Sequence, residues 1–334
     1  MTAPRPRTLL AMSADAAQTV FDDRRLARLA ELCDLASDTP VDIDAAADDE
    51  LADVEVLVTS WGAPALDAAR LGRLPRLRAV LHAAGSVRAI VTDALWERGI
   101  LVTSAADANA VPVAEFTFAT IVLAGKRAFT HLRTPIAQRT AHGLLDYADV
   151  GNVDRTIGII GYSRIGRRVV EMLRMLDVQV LVADPFADEA AVVAAGAQLV
   201  PLAELLPRAD VLSLHAPDLP STRHMIAATE LAALPDGATV INTARGALLD
   251  HDALAAECRT GRLDAVLDVT DPEPLPADSE LHRLPNVAIT PHIAGSLGTE
   301  LRRLADSALD ELQAYAQGSP PRHPITAADM VTSA

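Results

Sequence analysis

"GIIGYSRIGRR" (158–168) runs from an apolar segment through a glycine turn into an amphipathic one. Gly161 follows the apolar run directly and Gly166 stands five residues on. Ser163 occupies the place where a dinucleotide-binding turn carries its second glycine. A strand before and a helix after are the context that gives such a pattern meaning. At the helix N-terminus, free backbone N–H groups and the helix dipole attract a pyrophosphate. The first glycine makes the tight turn, the third lets helix and strand pack, and the second leaves room for the phosphates. Ser163 is small and its hydroxyl can donate to a phosphate oxygen, so the turn reads as weakened but intact. Gly161, Ser163, Arg164 and Ile165 are its expected cofactor contacts. Asp184 closes the next apolar run, 23 residues after Gly161 (184 − 161). An acid there reaches the adenosine 2′-hydroxyl and repels a 2′-phosphate, which favours NAD over NADP.

Working outward, the alternation of strand and helix is clear from residue 156. "TIGIIG", "VQVLVAD", "DVLSLHAP", "TVINTA", "LDAVLDV" and "VAITPHIAG" read as strands with helical segments between several of them. Such alternation implies a parallel, doubly wound sheet. The first 110 residues read as a smaller α/β unit, with "VEVLVTS" (54–60), "LRAVLHAA" (77–84) and "GILVTSA" (99–105) as strands. "VPVAEFTFATIVLAGKRAF" (111–129) is expected to be one buried helix with Pro112 in its first turn. A final helix spans about 299–317, and the proline-rich "GSPPRHP" after it is expected to be loosely ordered.

Composition narrows the function classes. A chain of 334 residues, half of them hydrophobic, suits two domains. The formal net charge of −16 argues against nucleic acid or an anionic membrane as partner. The longest apolar run, Ala110–Ala124, contains Pro112 and Glu115 and falls short of the ~18 residues that span a bilayer. A soluble cytoplasmic protein is the expectation. Cys33 and Cys258 show no metal-ligand spacing, and no metal is expected. Lys126 is the only lysine, so the other 28 of the 29 basic residues are arginine and Schiff-base chemistry is confined to one position.

Three further stretches stand at strand ends: "INTARGALLD" (241–250), "LDVTDPEPLP" (267–276) and "TPHIAGS" (290–296). In order and spacing they make the chain resemble the D-isomer-specific 2-hydroxyacid dehydrogenase family, which includes phosphoglycerate dehydrogenase and glyoxylate/hydroxypyruvate reductase. The resemblance covers nearly the whole chain. It implies two Rossmann-like doubly wound domains, an NAD-binding domain (112–298) inserted into a flavodoxin-like substrate domain (1–111 and 299–334). It places Arg245 as the anchor of the substrate carboxylate, His292 as the proton donor and Glu273 as the carboxylate beside it. It adds His215, Ala216 and Pro217 along the nicotinamide ribose, Asp268 near the nicotinamide amide, and Thr243, Ala244, His292 and Gly295 as further cofactor contacts. A small 2-oxo or 2-hydroxy acid and a homodimer are implied as partners.

The chemistry asks for such a set on its own account. Reducing a 2-oxo acid needs a hydride at the carbonyl carbon and a proton at its oxygen, and an imidazolium is a natural donor near neutral pH. A neighbouring carboxylate favours that charged form. A guanidinium grips a carboxylate through two parallel hydrogen bonds. Each residue also has a plainer reading: Arg245 as a surface charge, Glu273 as a loop acid, His292 as a packed histidine. Two other functions share the fold: an NAD-sensing binding protein like the C-terminal binding protein corepressors, and formate dehydrogenase, whose active site has glutamine where Glu273 stands.

In the first unit, the family's carboxylate-receiving loop matches "HAAGSVRAI" (82–90), with Ala84, Gly85 and Ser86 as substrate contacts. Arg88 stands where an acid is common. Either it is paired structurally, or it adds positive charge that favours a substrate with a second anionic group. Trp61 is placed to wall the substrate pocket, and His82 reads as structural.

Overall fold

The computed structural model describes residues 5–133 and 150–332. The chain divides into two compact units. One comprises the residues up to Ala110 and from Ser296 onward; the other runs from Val111 to Gly295. Among the described residues the strands are β1 (Arg7–Ala11), β2 (Asp34–Leu35), β3 (Val56–Thr59), β4 (Ala79–His82), β5 (Leu101–Ser104), β6 (Arg155–Ile160), β7 (Val178–Ala183), β8 (Gln198–Leu199), β9 (Val211–Leu214), β10 (Thr239–Asn242), β11 (Asp264–Leu267), β12 (Val287–Ile289) and β13 (Pro324–Ile325).

The first unit is built on a six-stranded sheet of order β13-β5-β4-β3-β1-β2. Every neighbouring pair is parallel except β13, which runs antiparallel to β5. Without β13, the order is the 2-1-3-4-5 of flavodoxin-like sheets. Every residue of β3 and β4 is buried, as a parallel sheet covered on both faces requires. The period of two sorts them: Leu10, Val56, Val58 and Leu81 join one core, Leu9, Leu57 and Val80 the other.

The helix Leu301–Ala316 packs Leu304, Leu309 and Leu312 into the first of these cores. Its Asp306 and Asp310 pair with Arg25 and Arg28 of the helix Asp23–Leu32. The tail beyond it is ordered, against the sequence expectation. Buried Glu311 accepts the backbone N–H groups of Arg322 and His323, and Pro324–Ile325 adds an edge strand to β5. The prolines end the helix, but an extended edge strand tolerates a proline because its missing N–H costs no ladder bond there.

The long helix is also displaced from its expected 111–129. It spans Ala106–Gly125, with Pro112 in its interior. Ser104 Oγ accepts the Ala106 N–H (3.4 Å) and favours the earlier start. Past Gly125 the left-handed Arg127 (φ +49°) separates it from the helix Ala128–Arg133. By length and composition this helix could cross a membrane. Its Ala114, Ile121 and Ala124 pack into the core of the second unit with Ile157, Ile159 and Val180.

The second unit carries a seven-stranded, wholly parallel sheet of order β12-β11-β10-β9-β6-β7-β8. Numbered within the unit this is 7-6-5-4-1-2-3, the Rossmann order with one strand added. The order reverses between β6 and β9, and ligands of such sheets bind outside the carboxyl ends of the strands at that reversal.

Candidate active site

The turn after β6 lies at the reversal. Gly161 has φ +94°, and a Cβ there would stand 2.7 Å from the Ala216 nitrogen and 2.8 Å from the His215 carbonyl carbon. The β6 turn therefore presses against the loop after β9, backbone on backbone. At Gly166 a Cβ would lie 2.1 Å from the Gly161 oxygen, so only glycine lets the helix Arg164–Leu173 start this close to the strand. Ser163 is the N-cap of that helix, its Oγ accepting the Gly166 N–H at 3.3 Å. A hydroxyl that accepts in this way still carries its own proton to donate. Ile165 packs into the core beneath and Arg164 is exposed on the first turn.

Asp184 steadies the same turn. Its Oδ2 accepts the Tyr162 N–H at 2.8 Å and its Oδ1 the Phe186 N–H at 2.9 Å. His215 is 4% exposed and shares a 2.9 Å hydrogen bond with Ser213 Oγ. Burial lowers its pKa to about 3, so its ring is neutral at working pH. Ala216 is buried beside Gly161, and the Pro217 carbonyl accepts the Thr222 hydroxyl at 2.6 Å. Buried Thr243 shares a 2.7 Å bond with Thr117, and the Ala244 N–H is held by Asn242 Oδ1. A glycine turn with no room for side chains, a capped helix N-terminus and an acid at the end of β7 fit a dinucleotide.

Three loops at the carboxyl ends of β10, β11 and β12 carry the remaining motif residues. His292 Nδ1 lies 2.7 Å from Glu273 Oε1, with both side chains substantially exposed (53% and 41%). His292 has φ +54°, and its N–H is held by the carbonyls of Asp268 and Thr290. Asp268, 2% exposed, accepts three hydrogen bonds from the His292 loop: Thr290 Oγ1 (2.6 Å), Ile293 N (2.8 Å) and Ala294 N (2.9 Å). Its carboxylate thus fixes the backbone on both sides of the histidine.

Arg245 follows β10, and its backbone carbonyl is held by Asn242 Nδ2 at 2.8 Å. Gly246, unremarked in the sequence, joins this loop to the one bearing Glu273. A Cβ on it would sit 2.0 Å from the Thr270 carbonyl carbon and 2.5 Å from the Asp271 nitrogen. Arg223 further pairs with Asp271 at 2.8 Å. Gly295 ends the segment after His292 as the last residue of the second unit.

In the first unit, the loop after β4 is fastened on several sides. The Ala83 N–H donates to the Thr59 carbonyl (2.7 Å), Ser60 Oγ donates to the Ala83 carbonyl (3.2 Å), and the Ala105 N–H donates to the Ala84 carbonyl (3.0 Å). The N–H groups of Ala84, Gly85 and Ser86 find no protein acceptor among the described residues. Asn109, also missed in the sequence, sets its Nδ2 3.3 Å from where a Gly85 Cβ would be, and its Oδ1 accepts the Ser296 N–H. The only signal for it was a polar residue within an apolar helix. Arg88 donates to the Met330 carbonyl at 2.6 Å. Trp61 stays half exposed past the end of β3.

A wholly parallel sheet of Rossmann order, with a glycine turn at its reversal and an acid closing the second strand, defines a dinucleotide-binding protein. The sequence profile described as D-isomer specific 2-hydroxyacid dehydrogenase, NAD binding domain, matches residues 120–294. The (S)-sulfolactate dehydrogenase of Chromohalobacter salexigens is 35% identical over 298 residues, 85% of this chain and 94% of that one. The glyoxylate reductase of Aeropyrum pernix is 32% identical over 262 residues, 77% of this chain and 78% of that one. The crystal structure of the TT0316 protein from Thermus thermophilus superposes with a TM-score of 0.73 and 28% identity, covering 96% of this chain and all of the other. The chain belongs to the D-isomer-specific 2-hydroxyacid dehydrogenase family. It is an oxidoreductase of that family, and NAD is its cofactor.

Proposed function

We propose that this protein reduces a small 2-oxo acid to the D-2-hydroxy acid, or runs the reverse, with His292 as proton donor, Glu273 as its carboxylate partner and Arg245 as the substrate anchor. The observation that carries the reading is the 2.7 Å contact between exposed His292 and Glu273. An imidazole open to solvent on one side and backed by a carboxylate on the other can take up and deliver a proton repeatedly. The bound nicotinamide supplies the hydride. Glu273 orients the ring through its Nδ1, Asp268 holds its loop, and the Arg245 guanidinium fixes the carboxylate of the substrate so that its carbonyl oxygen meets His292. In the first unit, the amides of Ala84, Gly85 and Ser86 are donors suited to a carboxylate, and Trp61 stands half exposed past the end of β3. Ser163, Asp184 and the loop 215–217 receive the cofactor, and Asp184 makes NAD preferred to NADP. A carboxylate at position 273 favours this reaction over formate oxidation. The intact set of Arg245, Glu273 and His292 favours an enzyme over an NAD sensor. We read the protein as a cytoplasmic homodimer.

The relatives suggest two substrate sizes. Glyoxylate has no side chain, whereas sulfolactate carries a sulfonate. Because that sulfur-bearing carbon outranks the carboxylate in naming, (S)-sulfolactate has the spatial arrangement of a D-hydroxy acid. Arg88 is engaged with the Met330 carbonyl, which supports its structural reading over a role in binding a second anion.

The test is NADH oxidation with glyoxylate, hydroxypyruvate, pyruvate, 2-oxoglutarate, sulfopyruvate and a phenyl-substituted oxo acid. NADPH and His292→Ala serve as controls. Turnover of at least one acid, with NADH preferred and a fall in kcat of about a thousandfold in the variant, is the expected result. NADH binding without turnover of any acid would favour the sensor.

A further inference from the structure

We infer that His82 is a positioning residue for the substrate loop, holding the Gly85–Ser86 backbone in the shape that presents its amides to a carboxylate. The inference rests on the reading of that loop given above. His82 ends β4, 3% exposed, where the register places it opposite Thr59 of β3. Its Nδ1 lies 3.0 Å from Thr59 Oγ1, and the Ser86 backbone neighbours the ring as a polar partner that favours a proton on it. One imidazole therefore spans from the sheet to the far end of the loop, four residues along the chain.

The chemistry of the ring suits a rigid strut. Burial lowers its pKa to about 4, so it is neutral and carries one donor and one acceptor nitrogen. With the proton on Nε2 directed at the Ser86 backbone, Nδ1 accepts from the Thr59 hydroxyl, and both partners are used. A charged ring would put a buried cation next to the loop, and a smaller side chain would take away the ring that lies between Thr59 and the Ser86 backbone. The near end is fixed by Ala83 N–H to Thr59 and Ser60 to Ala83, so Thr59 and His82 together anchor both ends of the same loop. The amides in between, those of Ala84, Gly85 and Ser86, are the ones with no acceptor among the described residues.

The two nitrogens can be replaced separately. Asparagine places a polar atom near the Nδ1 position and keeps the partner of Thr59, but does not reach Ser86. Glutamine reaches the Nε2 position and can donate to the Ser86 backbone. Amides that bind the carboxylate alike in ground and transition states contribute to KM more than to kcat. With the best oxo acid from the panel, His82→Asn is expected to raise KM about tenfold. kcat should stay within about threefold and the NADH dissociation constant within twofold. His82→Gln should return KM to within about threefold of the parent, and Thr59→Val should raise it by a smaller factor than His82→Asn.

Binding of oxalate, a dicarboxylate that is not reduced, to the enzyme–NADH complex provides a readout that needs no turnover. If the parent reduces no oxo acid, the functional reading fails while the oxalate series still tests the strut. Equal KM and oxalate affinity in the parent and His82→Asn would overturn the inference. So would equal losses in both variants that extend to NADH binding, since His82 would then serve only the fold.

Discussion

The two sheets of this molecule hold their loops by different means. In the second unit, the loops at the carboxyl ends of the strands are fastened backbone to backbone: Gly161 against Ala216, Gly166 against Gly161, Gly246 against Thr270. None of these contacts leaves space for a methyl group. In the first unit, the loop 83–86 is held by hydrogen bonds, the Ala83 N–H to Thr59, the Ala105 N–H to Ala84 and the Ser60 hydroxyl to Ala83, and Gly85 meets the Asn109 side chain, nearest at the end of its amide. Steric fastening fixes a geometry that has no alternatives, which suits a cofactor that never changes. Polar fastening can be re-tuned one hydrogen bond at a time, which suits a loop whose substrate differs from one relative to another.

The sharpest way to break this comparison is a matched pair of glycine substitutions. Gly246→Ala forces a Cβ into backbone atoms that cannot yield, and should destabilise the second unit by about 3 kcal/mol or more. It should also pull the Arg245 loop from the Glu273 loop and lower kcat/KM. Gly85→Ala meets a flexible amide at 3.3 Å and should cost less than about 1 kcal/mol. Urea unfolding of the two variants measures both; equal losses would remove the distinction.

The buried imidazoles extend the comparison to pH. Each unit hides one neutral histidine beside a hydroxyl: His82 with Thr59 and His215 with Ser213. Their folded-state pKa values, about 4 and about 3, lie below the ordinary 6.5. Above pH 6.5 both rings are neutral whether folded or not, and they add no pH dependence. As pH falls below 6.5 the unfolded chain takes up the protons first, so folding stability drops and keeps dropping until the folded pKa is passed. The full losses are on the order of 3 kcal/mol for His82 and 5 kcal/mol for His215. Amide hydrogen exchange between pH 7.5 and 5 should show both units weakening to a similar extent, because the two folded-state values separate their effects only below about pH 4. His82→Gln should flatten the slope in the first unit alone.

How far the sequence could be read depended on whether a feature was local. The strand–helix alternation, the glycine turn and the Arg245, Glu273 and His292 motifs are each carried by a few consecutive residues, and they were legible. The tail was not: "GSPPRHP" has the composition of a loose end, and only the buried carboxylate of Glu311 and the free edge of β5 turn it into structure. Gly246 drew no notice because the backbone it touches, that of Thr270 and Asp271, belongs to a different loop. His82 was legible as structural, but the loop it braces became visible only when β4 was registered against β3. Asp268 drew notice for the cofactor, whereas its carboxylate is occupied by the His292 loop.

Asp268→Asn sharpens this last point. The amide keeps one acceptor but turns a donor toward an N–H that needs an acceptor, so one of the three bonds is replaced by a repulsive contact. The His292 loop should loosen and kcat fall about tenfold. If Asp268 acts through the loop, NADH affinity should change by less than about twofold. A loss of NADH affinity as large as the loss of kcat would instead make it a cofactor contact.

The smallest expected effect belongs to Ser163, the residue that interrupts the glycine pattern. As an N-cap it should cost about 1 kcal/mol when replaced by alanine and only a few tenths when replaced by glycine. Those stability changes say nothing of the cofactor, so the pair must also be read by NADH titration. If the hydroxyl only caps, Ser163→Gly should bind NADH at least as tightly as the parent, since it restores the roomier turn. If the hydroxyl proton also reaches a phosphate oxygen, both variants should bind several-fold more weakly, glycine included, despite its near-normal stability. A steric defect in the turn predicts the opposite order, with Ser163→Gly the tightest of the three. Ranking three dissociation constants therefore separates a helix cap from a phosphate ligand at one serine.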